Sequence, residues 1–184
     1  MRGVDRFLQR WRMCRAMAWL PGRVRLIDVG AHEGELFRAL HDRLIEGYGV
    51  EPLLERVVKG SNYQIVPGFF PAVRPLHDGW DGVTMLAVLE HVPTAQQAPL
   101  AQSCHALLRP GGRVIVTVPA PAVDQILVVL KRLRLIDGMS LEEHYGFEPA
   151  DVPRIFAAPG FRLVAHRRFQ LGLNHLYVFE RTAG

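Results

Sequence analysis

Between residues 24 and 40 the hydrophobic period of the chain changes at a glycine. Val24-Arg25-Leu26-Ile27-Asp28-Val29 is a mostly apolar run rich in β-branched side chains, and it stops at Gly30. Beyond Gly34 the apolar positions Leu36, Phe37 and Leu40 fall at helical spacing. A strand that passes through a short glycine turn into a helix opens a unit of alternating strands and helices. Chains built of such units form a mostly parallel sheet covered on both faces. The alternation continues, with strands expected over residues 48–51, 63–66, 82–88 and 114–118 and helices over 53–59, 95–108, 123–135 and 150–158. Arg109-Pro110-Gly111-Gly112 reads as a turn. Strands over 161–169 and 173–181 close the chain, joined through Gln170-Leu171-Gly172. That link is too short for a crossover, so the last strand is expected antiparallel to its neighbour.

The length of 184 residues fits one domain with a sizeable core. It divides into an N-terminal amphipathic helix (1–20), a core (23–118) and a C-terminal portion (119–184) that ends in a β-hairpin. In the first segment Val4, Phe7, Leu8, Trp11, Cys14 and Ala18 recur mostly at spacings of three and four. This predicts an amphipathic helix with Leu8, Trp11 and Trp19 toward the core, ended by Pro21-Gly22. The segment lacks a separate apolar core and a cleavage site, so it reads as mature sequence.

Cys14 and Cys104 lie far apart with no Cys-x-x-Cys pattern, which points to a reducing compartment and a cytoplasmic location. The net charge of +4 comes largely from scattered arginines. Scatter argues against nucleic acid as a partner, and the basic first helix leaves weak peripheral contact with an anionic membrane surface as an expectation. No apolar stretch approaches membrane-spanning length. Isolated histidines such as His41, His77, His105 and His166 read as surface or capping residues, and no metal is expected.

In a parallel sheet of this kind ligands bind beyond the carboxyl ends of the strands. Four such ends carry informative residues. Asp28-Val29-Gly30-Ala31-His32-Glu33-Gly34 lets the backbone turn sharply and approach a ligand. It lacks the glycines of a dinucleotide fingerprint, which would replace His32 and Glu35. Glu51, at the tip of the second strand, can accept hydrogen bonds from both hydroxyls of a ribose. Pro67-Gly68-Phe69 follows the third strand, and Glu90 and His91 leave the fourth together.

Taken together, L-I-D-V-G-A-H-E-G, G-V-E-P, M-L-A-V-L-E-H-V and L-L-R-P-G-G-R-V-I-V-T-V-P resemble the successive motifs of class I S-adenosylmethionine-dependent methyltransferases. The resemblance runs from about Val24 to Arg181 and takes in E-H-Y-G-F-E-P and the closing strand pair. It implies an α/β, Rossmann-like doubly wound sheet of seven strands, mostly parallel with the last antiparallel and helices on both faces.

It also implies S-adenosylmethionine as methyl donor and S-adenosylhomocysteine as product. Asp28, Gly30, Ala31, His32 and Gly34 would form the donor turn, with Asp28 near the methionine amino group. Glu51 would hold the ribose, and Pro52, Gly68 and Phe69, with Leu86, Ala87 and Val88, would complete the site. The family often has an aspartate where Phe69 stands and a glycine where His32 stands. The N-terminal helix would serve as a lid. The acceptor would be a small molecule or a glycan or lipid precursor, met by Glu90, His91, His144 and Tyr145, with His91 and His144 as candidate bases because imidazole titrates near neutrality. A noncatalytic donor-binding module of the same fold is the alternative, and an NAD-dependent oxidoreductase fits less well.

Overall fold

A computed structural model describes residues 3–120, 147–157 and 160–183. Helix α1 (Gly3–Met17) precedes β1 (Val24–Val29), α2 (Glu35–Leu40), β2 (Leu44–Glu51), β3 (Val58–Lys59), β4 (Tyr63–Pro67) and β5 (Trp80–Leu86). Helix α3 (Thr94–Leu107), β6 (Leu108–Pro119), α4 (Val152–Ala157), β7 (Phe161–Phe169) and β8 (Asn174–Arg181) follow. The strands form one sheet in the order β3-β4-β2-β1-β5-β6-β8-β7. Strands β4, β2, β1, β5 and β6 run parallel, and β8 lies antiparallel between β6 and β7. The doubly wound sheet and its antiparallel closing strand agree with the sequence reading.

Two apolar layers cover the sheet, because alternate residues of each buried strand face opposite ways. Leu26, Ile115, Leu176 and Val178 pack with α1 and α2, whereas Ile27, Val114, Val116, Tyr177 and Phe179 pack with α3 and α4.

The sheet has eight strands instead of seven. The extra strand is β3, within residues expected to be helical. Leu53 is 85% exposed and Val57 is 45% exposed, and only Leu54 and Val58 of this apolar stretch meet the core. A segment of this length does not sustain a helix unaided. Val58 and Lys59 instead pair with Ile65 and Gln64 at the sheet edge, which uses their backbone groups.

The Pro110-Gly111-Gly112 turn is absorbed into β6 as a bulge, where the register passes from Trp80↔Leu108 to Gly82↔Arg113. The helix expected over 150–158 is a short 3₁₀ turn (Pro149–Asp151) running into α4. The helix expected over 123–135 lies outside the described residues.

Trp11 and Trp19 of the first segment pack against the core as its sequence suggests, but the fully covered face lies beside them. Met13, Ala16 and Leu20 are buried, whereas Phe7 is 61% exposed and Cys14 and Ala18 face solvent. Leu8, Trp11 and Trp19 are half-buried. Ala16, with no exposed surface, lets the helix lie close to the sheet, and a bulkier stripe would hold it away. Arg43 fixes the end of this segment, its Nη2 donating to the carbonyls of Met17, Leu20 and Pro21 at 3.2, 3.1 and 3.0 Å. A cation at helix-terminal carbonyls is favourable. Among the described residues, no helix is long and apolar enough to cross a membrane.

Candidate functional site

The carboxyl ends of β1, β2, β4 and β5 bring the sequence-expected donor residues to one rim. After β1 the chain turns through left-handed residues, Gly30 at φ 75°, His32 at φ 48° and Gly34 at φ 84°. Gly30 N–H donates to the Val50 carbonyl at 2.9 Å, and Gly34 N–H donates to that of Ala31 at 2.8 Å. A Cβ on Gly30 would lie 2.5 Å from Val88 Cγ2, so the turn and the end of β5 approach as closely as a bare backbone allows. His32 adopts the same kind of conformation with a side chain, at a strain of about 1 kcal/mol. Its imidazole is exposed, and Nδ1 sits 3.1 Å from Glu35 Oε1.

Glu51 joins the turn to β2. Its carboxylate, 7% exposed, accepts the His32 backbone N–H at 2.9 Å and the Leu53 N–H at 3.1 Å. The Glu51 carbonyl accepts Gly68 N–H at 3.3 Å, drawing in the loop after β4. Phe69 next to it is 72% exposed, and Pro52 also faces solvent. On the β5 side Leu86, Ala87 and Val88 are half-buried. Ala87 takes φ 60°, and its N–H donates to the Thr117 carbonyl at 2.9 Å.

Asp28 lies beneath the turn and is 4% exposed. Burial pushes its carboxyl up to about 7 from the usual 3.8; the Thr84 hydroxyl, donating to Oδ1 at 2.6 Å, opposes this rise, and the charges of Glu35 and Glu51 add to it. Sequence reading missed Thr84. The available signal was a hydroxyl inside the apolar run of β5, in register with Asp28.

A family model described as a methyltransferase domain matches residues 2–166. The chain belongs to the class I S-adenosylmethionine-dependent methyltransferases. S-adenosylmethionine is accordingly its cofactor. Solved structures share the fold. An S-adenosylmethionine-dependent methyltransferase from Mesorhizobium loti is 17% identical with a TM-score of 0.70, the match covering 91% of this chain and 96% of that one. Magnesium protoporphyrin IX methyltransferase from Synechocystis PCC 6803, solved with bound S-adenosylhomocysteine, is 19% identical with a TM-score of 0.64, over 98% and 84% of the two chains. A protein of the same description from Methanosarcina mazei is 14% identical with a TM-score of 0.67, over 91% and 97%. A comparison with curated proteins finds no match.

Of the residues that the sequence reading assigned to the acceptor, the structure separates two that it placed together. Glu90 is 2% exposed, whereas His91 faces solvent from the 3₁₀ turn Leu89–His91. His144 and Tyr145 lie outside the described residues. Phe147 is half-buried against the α3 layer.

A histidine pair was also missed. His175, 8% exposed, holds Nδ1 3.0 Å from Nε2 of His166, and burial lowers the pKa of both. Only the β7–β8 register brings them together, since His175 lies opposite Arg168. His32, Glu33 and Glu35 place three possible ligand atoms within 4.8 Å of one another on the outer side of the turn, although no metal-binding spacing marks them in sequence.

Proposed function

We propose that the methyltransferase passes the methyl group of S-adenosylmethionine to a small-molecule, glycan-precursor or lipid-precursor acceptor. The observation that carries the donor assignment is the Glu51 carboxylate, buried at the tip of β2 and aligned by the His32 and Leu53 N–H groups. These residues suit the donor. Glu51 retains acceptor capacity for ribose hydroxyls, the Gly30 turn has no room for a side chain, and the Phe69 ring is available beside the site.

When bound, the sulfonium of the donor supplies a methyl group that is already electrophilic. The protein's work is to position and to exclude water. Gly30, Ala31, His32 and Gly34 would hold the methionine portion with their backbone, and Asp28 would serve its amino group. Gly68, Phe69 and Pro52 would hold the adenosine, and Leu86, Ala87 and Val88 would close the β5 side. His91 takes the proton of an acceptor hydroxyl, and Glu90, His144 and Tyr145 are assigned to the acceptor by the sequence alone. The left-handed turn is intact with histidine at position 32, which supports a working donor site over a noncatalytic module.

Titration calorimetry with S-adenosylhomocysteine tests the donor site. Wild-type chain is expected to bind, and Glu51→Ala is expected to bind about tenfold to a hundredfold more weakly, the value of hydrogen bonds to a charged group. Unchanged affinity in the variant, or binding of NAD in place of S-adenosylhomocysteine, would overturn the assignment. On the acceptor that supports turnover, His91→Ala is expected to lower kcat by about a hundredfold or more while leaving S-adenosylhomocysteine affinity intact. Full turnover would remove His91 from the mechanism.

A further inference from the structure

Helix α1 carries more apolar side chains than its covered face buries, and Phe7 is left on the outside. Phe7 is 61% exposed near the start of the helix. The next residue, Leu8, accepts a hydrogen bond at its carbonyl from Gln170 Nε2 at 2.9 Å, which ties the helix to the β7–β8 turn. Leu171 stands at that turn, 97% exposed. Two large apolar side chains from segments more than 160 residues apart in sequence are thereby fixed on one edge of the molecule.

Their surroundings are cationic. Arg6 and Arg10 are exposed on α1, where Asp5 is the sole acid against Arg6, Arg10, Arg12 and Arg15. Arg167 is exposed on β7 between Ala165 and Phe169, whose side chains pack in the same layer as Met13 and Ala16 of α1. Strand β7 runs in the same direction as β6, since both pair antiparallel with β8. The β7–β8 turn therefore emerges at the sheet rim that also carries Gly30 and Glu51.

We propose that this edge docks the protein on an anionic bilayer, with Phe7 and Leu171 inserted among the acyl chains and Arg6, Arg10 and Arg167 on the lipid phosphates. Exposed apolar tips set among predominantly positive charges suit a fluid, negatively charged interface that closes around them. A folded protein partner would have to present a hollow for each tip. Docked this way, the donor rim is held toward the membrane. The surface is independent of the donor-site assignment, and it narrows the acceptor class to amphiphiles when the two are combined.

The full chain is sedimented with vesicles of equimolar phosphatidylglycerol and phosphatidylcholine, and with vesicles of phosphatidylcholine alone. Binding is expected to the anionic vesicles at low ionic strength, to weaken with added salt and to be absent from the neutral ones. The double variant Arg10→Glu/Arg167→Glu is expected to bind at least about thirtyfold more weakly, since each basic residue near such a surface contributes about 1 kcal/mol. Phe7→Ser/Leu171→Ser is expected to bind about tenfold more weakly, from lost apolar insertion.

Both pairs are exposed, so thermal unfolding and S-adenosylhomocysteine affinity are expected to stay at wild-type values. Loss of donor binding in wild-type chain would thus be a separate failure. No sedimentation at low salt, equal binding to the two vesicle types, or charge-reversed chain that binds as well as wild type would overturn the proposal. So would a solution dimer that Leu171→Ser dissolves, which would place a second copy on this surface.

Discussion

Asp28→Asn is expected to stabilise the protein by up to about 4 kcal/mol at about pH 8 and by almost nothing at about pH 4. The carboxyl is buried and holds its proton up to about 7 in the folded chain, against the usual 3.8. Unfolded chain therefore gives up this proton some three pH units earlier than folded chain. In that window the native state binds more protons than the unfolded state, so stability falls as pH rises, by about 1.4 kcal/mol for each pH unit. The contribution is full below about pH 4 and is lost by the time pH has passed about 7.

Asparagine has nearly the shape of the protonated acid, and its Oδ1 can accept the same hydrogen bond from the Thr84 hydroxyl. Urea unfolding of both chains at several pH values checks the expectation, and a gain independent of pH would show that burial of the charge is not the cause. Calorimetry on the same variant separates stability from function. If ionised Asp28 serves the donor's amino group, affinity for S-adenosylhomocysteine falls as stability rises, a trade-off common at sites that keep a buried charge.

Gly30→Ala is expected to destabilise the fold by about 2–4 kcal/mol and to weaken S-adenosylhomocysteine binding by about a hundredfold or more. Two separate strains combine. Position 30 sits at φ 75°, where a side chain is disfavoured, and its Cβ would come within 2.5 Å of Val88 Cγ2. The double variant Gly30→Ala/Val88→Ala removes the second strain and keeps the first. Its stability should therefore lie above the sum of the two single changes, a coupling that thermal unfolding of all four chains measures. Strict additivity would mean that the turn moves away from β5 to relieve the contact.

Much of the rim at the carboxyl ends of β1 and β2 was legible because it rests on local chemistry. The change of period at Gly30 marks a strand end and a helix start wherever such a segment folds, and Glu51 stands at a strand tip by its position after an apolar run. The three-residue link Gln170-Leu171-Gly172 forces an antiparallel closing strand whatever lies around it. These features need only neighbours along the chain.

The remainder depended on neighbours far away in sequence. Residues 53–59 have a helical look in isolation, yet the free edge of β4 recruits Val58 and Lys59 as a strand. Helix α1 has apolar residues on more than one face, and the close approach permitted by Ala16 selected Met13 and Leu20 for burial while Phe7 stayed outside. Glu90 and His91 are adjacent in sequence, but a 3₁₀ turn buries one and exposes the other. The His166–His175 pair exists only through the β7–β8 register.

The sequence by itself determined the five parallel strands, the glycine turn, the acid at the second strand tip and the direction of the last strand, because backbone sterics and hydrophobic period act within a few residues. The tertiary structure alone decided which face of α1 is covered, whether Asp28 keeps its proton and which side chains reach the rim, because burial and cross-strand contact are properties of residues that only folding brings together.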